Sequence, residues 1–281
     1  PQPFVAMPDK PEGATWADPP RVIRRLVYRA DGQGYLRDGY THVFTLPADG
    51  GTPRQLTSGS FDHSGPLAWS PDGRHLLFAA NRRPDAEYEP LDTEIFEVPA
   101  AGGPLRQLTD RRGPDQSPAI SPDGLLVAYL GFDDRYQGYP VTRLSVMRRY
   151  GSGTRVVTGA LDRDVEQPSW GADGKGLYFA TSDKGNGKIG FVTLDGKVQY
   201  LASDLGGGDL GRPYSGGSYS VTRDGLIAYT HTRPEQPPDV AVAREPDDVA
   251  RHLARRIEPP VLVLVVDAFD LQRRDPIGDF G

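Results

Sequence analysis

Four segments of the chain repeat one another: LAWSPDGRHLLFAA (67–80), PAISPDGLLVAYLG (118–131), PSWGADGKGLYFAT (168–181) and SVTRDGLIAYTH (220–231). Their turn aspartates, Asp72, Asp123, Asp173 and Asp224, lie 51, 50 and 51 residues apart. A steady period of this size means that one supersecondary unit is being copied, and it limits the fold to repeat architectures. Within each copy the turn chemistry is that of a hairpin. Where proline is present it presets φ, aspartate follows, and glycine takes the left-handed position. The apolar run after the turn, LLFAA or LVAYL, reads as a strand buried on both faces.

A second element recurs downstream of the first. LPADGGTPRQLT (46–57) and VPAAGGPLRQLT (98–109) are clear copies, and SVMRRYGSGTRVVT (145–158) and FVTLDGKVQYLA (191–202) are weaker ones. Each is again strand, glycine turn, strand. Every unit of about fifty residues therefore holds four strands, the content of one blade of a β-propeller. The 34 glycines and 27 prolines among 281 residues supply the turns that such a fold consumes. The reading is an all-β chain of four-stranded antiparallel blades, with four to five visible, either incomplete or five-bladed. The boundaries are an extension over 1–20, units at 21–57, 58–109, 110–158, 159–202 and 203–243, and an atypical tail over 244–281.

Strand order sorts the loops. The turns joining first to second and third to fourth strands share one face, so the second-to-third connections lie on the other. Two of these are long, NRRPDAEYEPLDTE (81–94) and GFDDRYQGYPVTR (131–143). They carry the candidate binding residues Arg82, Arg83, Glu87, Tyr88, Glu89, Asp133, Asp134, Arg135, Tyr136 and Tyr139, because polar loops on a rigid scaffold are where recognition concentrates.

Two local motifs fail in context. GGSYS (216–220) approaches the G-x-S-x-G elbow of hydrolases, which needs a strand before the serine and a helix after it. In register, Ser218 matches Pro66, Ser117 and Gln167 and enters a blade's innermost strand, so Ser218 with His231 is not expected to catalyse. GGGDLG (206–211) satisfies G-x-G-x-x-G, but loop residues follow where a dinucleotide site needs a helix. No histidine has zinc-ligand spacing, and the turn aspartates are expected to hold their own turns. No catalytic residue, metal or cofactor is expected.

Net charge of −6 argues against nucleic acid or anionic lipid as a partner. The longest apolar run, Val261 to Val266, is too short to span a bilayer. With no cysteine and no signal-peptide core, a cytoplasmic location is expected.

The SPDG-centred repeats with RQLT at blade ends resemble TolB-like propeller repeats. The run RVIRRLVYRADGQGYLRDGYTHVFTLPADGGTPRQLT (21–57), followed by WSPDGRHLLFAANRRPD, resembles more specifically the propeller of prolyl oligopeptidase family (S9) enzymes, nearest the acylaminoacyl-peptidase branch. That resemblance covers about residues 20 to 243. It implies a serine peptidase whose propeller caps an α/β-hydrolase domain and admits peptides while excluding folded proteins. The expected partners are peptides and a hydrolase domain that this sequence does not contain, so no triad residue carries over and the chain alone is expected to be inactive. A standalone TolB-like propeller that binds a protein or peptide is the second reading. For the tail, a short helix over Asp247 to Arg256 with a buried strand at PVLVLVV stands beside sequence unrelated to the repeat. Unpaired blade edges imply a closed five-bladed ring, self-association or aggregation.

Overall fold

The computed structural model describes residues 11–15, 22–36, 39–207, 216–233 and 236–243. In chain order the strands are β1 Arg29–Ala30, β2 Gly34–Tyr35, β3 Phe44–Thr45, β4 Arg54–Gln55, β5 His63–Trp69, β6 His75–Ala80, β7 Glu94–Pro99, β8 Arg106–Gln107, β9 Asp115–Ile120 and β10 Leu126–Gly131. They continue with β11 Arg143–Arg148, β12 Arg155–Val156, β13 Val165–Trp170, β14 Gly176–Asp183, β15 Asn186–Thr193, β16 Val198–Leu205, β17 Tyr219–Val221, β18 Ile227–Arg233 and β19 Gln236–Ala243. All pairings are antiparallel between sequence neighbours, apart from a contact of β16 with β18 at Leu205 and His231. No helix among the described residues is long and apolar enough to cross a membrane.

The repeat units appear as meanders. β5–β8, β9–β12 and β13–β16 each run in sequence order, and β17–β19 follow as three strands among the described residues. The first unit differs from the expected four-stranded sheet. It consists of two separate two-stranded hairpins, β1–β2 and β3–β4. The tail over 244–281 and most of the Gly206–Gly211 run lie outside the described residues.

Each hairpin turn is built as its residues dictate. In the second unit Gly73 N donates to Ser70 O at 2.8 Å and Ser70 N to His75 O at 2.9 Å. Asp72 Oδ1 accepts from Ser70 Oγ at 2.6 Å and from Arg74 N at 3.0 Å. Asp123 accepts equivalently from Ser121 and Leu125, Asp173 from Lys175 N, and Asp224 from Thr222. The Ser70 hydroxyl, and then the Arg74 amide, hold the Asp72 carboxyl below the usual carboxylate range. Gly73, Gly124, Gly174 and Gly225 sit at φ of 68°, 74°, 68° and 80°, where a Cβ is unfavourable.

The doubly buried strands explain the radial packing. Along β6, Leu76, Phe78 and Ala80 pack with Val43 and Leu56 of the first unit, whereas Leu77 and Ala79 pack with Val127, Tyr129 and Met147 of the third. Along β10, Val127 and Tyr129 face back, while Ala128 and Leu130 join Val165, Leu177 and Phe179 of the fourth unit. Alternate side chains thus enter the layers on either side of each sheet, as the period of two requires. Backbone bonds stitch successive units: His63 N to Thr41 O at 2.9 Å, Asp115 N to Thr93 O at 2.8 Å, and Val165 N to Thr142 O at 3.1 Å.

The RQLT element gains its meaning here. The buried hydroxyls of Thr57, Thr109 and Thr158 accept from Val43 N, Ile95 N and Leu144 N, each at 2.9 Å. Those amides lie beside the short outer strands, and the threonine supplies the acceptor that a longer ladder would have given.

Candidate functional site: the axial cavity and the long-loop face

The innermost strands of four units converge on a cavity of about 350 Å³ lined by Pro66, Ser117, Pro118, Gln167, Pro168, Ser169 and Tyr219. Each of β5, β9 and β13 carries a register shift there, between Ser64 and Ala68 in β5 and between Glu166 and Ser169 in β13. The bulge places one residue of each strand in the left-handed region: Gly65 at φ 100°, Ser117 at 52° and Gln167 at 52°. Gly217, at 106°, precedes β17 at the same distance before Asp224 as Gly65 stands before Asp72. Serine and glutamine held at positive φ cost of order 1 kcal/mol each and persist where the surroundings over-determine them. Proline is tolerated beside the bulge because the axial edge of an innermost strand needs no ladder donor.

Polar contacts link the strands across the cavity. Gln167 Nε2 donates to Gly217 O at 2.8 Å, and the Tyr219 hydroxyl donates to Gln167 O. Ser218 sits at the strand entry and spends its backbone on Thr230: its N donates to Thr230 Oγ1 at 2.9 Å and its O accepts from Thr230 N at 2.9 Å. β17 and β18 follow, so the serine starts a hairpin and no helix. His231 is buried and faces Asp204 of β16 at 2.9 Å.

Ser117, Gln167 and Pro66 lie two or three residues into their strands from the ends adjoining the second-to-third connections. The long loops, 81–93 and 132–142, therefore overlook the cavity end of these strands. Of the candidate residues on them, several serve the scaffold. Arg82 donates to Ser58 O at 3.3 Å and to His63 Nε2, and its guanidinium lies 4.7 Å from the Phe61 ring centroid. Burial pushes His63 down to about 4, so its neutral ring can accept that bond while Nδ1 meets Thr41 O. Arg83 chelates Asp85 at 2.9 and 3.1 Å and reaches the buried Asp92 at 3.5 Å. Glu87 accepts from Leu26 N at 3.2 Å and from Arg25 Nε at 3.1 Å, and both bonds lower its pKa.

Others are brought together between the loops. Glu89 accepts from the Tyr136 hydroxyl at 3.2 Å and pairs with Arg112 at 3.6 Å, and Arg112 stacks on Tyr136 at 4.2 Å. Asp133 pairs with Arg111 at 3.1 Å, and Asp134 caps the Tyr136 amide at 2.8 Å. Tyr136 itself has φ of 56°. Tyr88, Tyr136 and Tyr139 stand 76%, 69% and 80% exposed, with Arg135 also exposed. The result is an aromatic and charged rim.

Sequence reasoning missed the linker between the second and third units, Asp110-Arg111-Arg112-Gly113-Pro114-Asp115, which holds both loops. Gly113 N donates to Asp92 Oδ1 at 2.9 Å, and Asp134 N donates to Arg112 O at 3.0 Å. Glu94 accepts from Thr109 Oγ1 at 2.5 Å and from Arg111 N at 2.9 Å, and burial pushes its carboxyl up to about 7. Asp115 is fully buried against Arg111. A charged doublet next to Gly-Pro was the available signal, but only the fold shows what it meets. No group of three or more potential metal-ligating side chains occurs among the described residues.

A family model described as the dipeptidyl peptidase IV N-terminal region matches residues 14–136. Dipeptidyl-peptidase 5 of Porphyromonas gingivalis is 25% identical over 170 residues, covering 59% of this chain and 24% of that protein. The solved puromycin-hydrolyzing peptidase of Mycobacterium tuberculosis matches with a TM-score of 0.54 at 23% identity, over 72% of this chain and 32% of the other. A putative TolB of Agrobacterium tumefaciens matches with a TM-score of 0.54 at 17% identity, over 75% and 79%. The chain spans about a quarter or less of the dipeptidyl-peptidases 5 it matches. The fold is a β-propeller, and the sequence is similar to the N-terminal propeller regions of S9 family peptidases.

Proposed function

We propose that this chain is the non-catalytic propeller of an S9-type serine peptidase and governs which peptides reach a hydrolase domain. The observation that carries this reading is the axial cavity, where four inner strands meet beneath a rim of exposed tyrosines and charges. A cavity of about 350 Å³ has room for a few residues of extended chain. The family names among its relatives favour release of dipeptides over the acylated amino acids suggested by the sequence resemblance. Tyr88, Arg135, Tyr136 and Tyr139 would meet the peptide first, and Ser117, Gln167 and Tyr219 would line its path.

The test adds the purified chain to an S9 hydrolase domain made without its propeller. Cleavage of a folded protein substrate is expected to fall while hydrolysis of a short chromogenic dipeptide persists, and the chain alone is expected to cleave neither. Robust hydrolysis by the chain alone, abolished by Ser218→Ala, would overturn the reading. One observation favours a second reading, a standalone binding propeller: the likeness to the putative TolB covers 79% of that chain. Unchanged cleavage of both substrates on mixing would favour it.

A further inference from the structure

Glu94 of β7 and Asp115 of β9 are two buried carboxylates on either side of the seam between the second and third units, and one arginine serves both. Arg111 divides its donors: its backbone N goes to Glu94, Nη2 to Asp115 and to Pro114 O, and Nη1 to Asp133. Its side chain passes where Gly131 leaves room. A Cβ at Gly131 would lie 2.0 Å from Pro114 O and 2.3 Å from Arg111 Nη2. Thr109 Oγ1 accepts from Ile95 N and bonds Glu94, and Asp115, whose Oδ2 is buried with no hydrogen bond of its own, is the alternative acceptor for its proton. The hydroxyl has one proton, so it can donate to only one of the two acids. When Glu94 is neutral it donates to Thr109, and the hydroxyl turns to Asp115. When Glu94 is ionised it accepts the hydroxyl's hydrogen bond, and that donor is no longer open to Asp115.

We infer that Glu94, Thr109 and Asp115 form a proton-operated latch that holds the two long loops together through the 110–115 linker. The linker is the mechanical part. Arg111 reaches Asp133 and Arg112 reaches Glu89 and Tyr136, while Gly113 is tied to Asp92. Shifting the linker therefore disturbs both loops at once. Losing the proton places a second negative charge beside Asp115 in a site with a single guanidinium, which is costly at low dielectric.

The groups facing Glu94 are Asp110, Arg111 and Asp115, and those facing Asp115 are Arg111, Asp133 and Tyr129 of β10. Desolvation dominates at Glu94, so the folded chain retains its proton to about pH 7 against an ordinary value of 4.5. Folding then takes up a proton between those values. The group's contribution to stability is greatest below about pH 4.5, falls as pH rises towards 7, and is level above that. The latch does not depend on what the loops bind.

Hydrogen exchange of the 281-residue chain tests it, with rates corrected for the pH dependence of intrinsic exchange. Between pH 5.5 and 8, protection of amides in 81–93 and 132–142 is expected to fall by up to about thirtyfold, the effect of the roughly 1.5 pH units between 5.5 and the folded value of about 7. Glu94→Gln, which stays neutral, is expected to abolish the change. Protection independent of pH in the wild type, or an unaltered change in Glu94→Gln, would overturn the latch. Carbon NMR of carboxyl-labelled wild type gives a second readout: a Glu94 resonance titrating near 7 is expected, and titration below 5 would overturn it even if the variant fails to fold.

Discussion

At the scale of single residues, short local bonds and one long-range bond do different work. Each turn aspartate is satisfied within its own hairpin, so its role was readable from SPDG alone. The threonine of RQLT was visible as a repeat, but its partner lies 14 residues away on another strand, and local pattern gives no hint of it. Thr158→Val keeps the shape and removes the acceptor for Leu144 N, leaving a buried amide unpaired at a cost of about 1–3 kcal/mol. Urea denaturation should show a lower midpoint with unchanged slope, and Thr158→Ser should restore most of it. An unaltered midpoint in Thr158→Val would refute the role given to the hydroxyl. The carboxylates at the seam were illegible for a different reason. Glu94 stands in a loop-to-strand sequence rich in acids, and only burial distinguishes it from Glu87 or Glu89.

Among the elements, strand parity carries the fold. Apolar runs such as HLLFAA fit a sheet packed on both faces, and β6, β10 and β14 occupy that position. The bulge in the innermost strands was not legible, because register shifts leave no mark on composition when the residues are serine and glutamine. Placement of the long loops was legible from strand order. Their internal pairing was not, since it runs through linker residues that the repeat alignment treats as spacers. Bulge strain makes a directional prediction. Ser117→Gly removes a Cβ from a residue at φ 52° and is expected to stabilise the chain or leave it unchanged, the gain in the folded state offsetting greater freedom in the unfolded one. Thermal unfolding that drops by more than about 3 °C, roughly 1 kcal/mol for a domain of this size, would show that the side chain itself supports the cavity.

For the molecule as a whole, the shared cavity and the alternating core layers have one cause: sheets arrayed about an axis, each sandwiched between two neighbours. A linear stack would also bury both faces of its inner sheets, but it would separate the first and fourth innermost strands by about 30 Å at roughly 10 Å per layer. The chain has no cysteine, so thiols can be introduced cleanly. Pro66 and Tyr219, from the second and fifth units, line the same cavity. The decisive measurement is therefore the distance between spin labels in the Pro66→Cys/Tyr219→Cys chain. A radial arrangement gives a narrow distribution well below about 30 Å in the monomer, and a distribution centred at or beyond that spacing would contradict it.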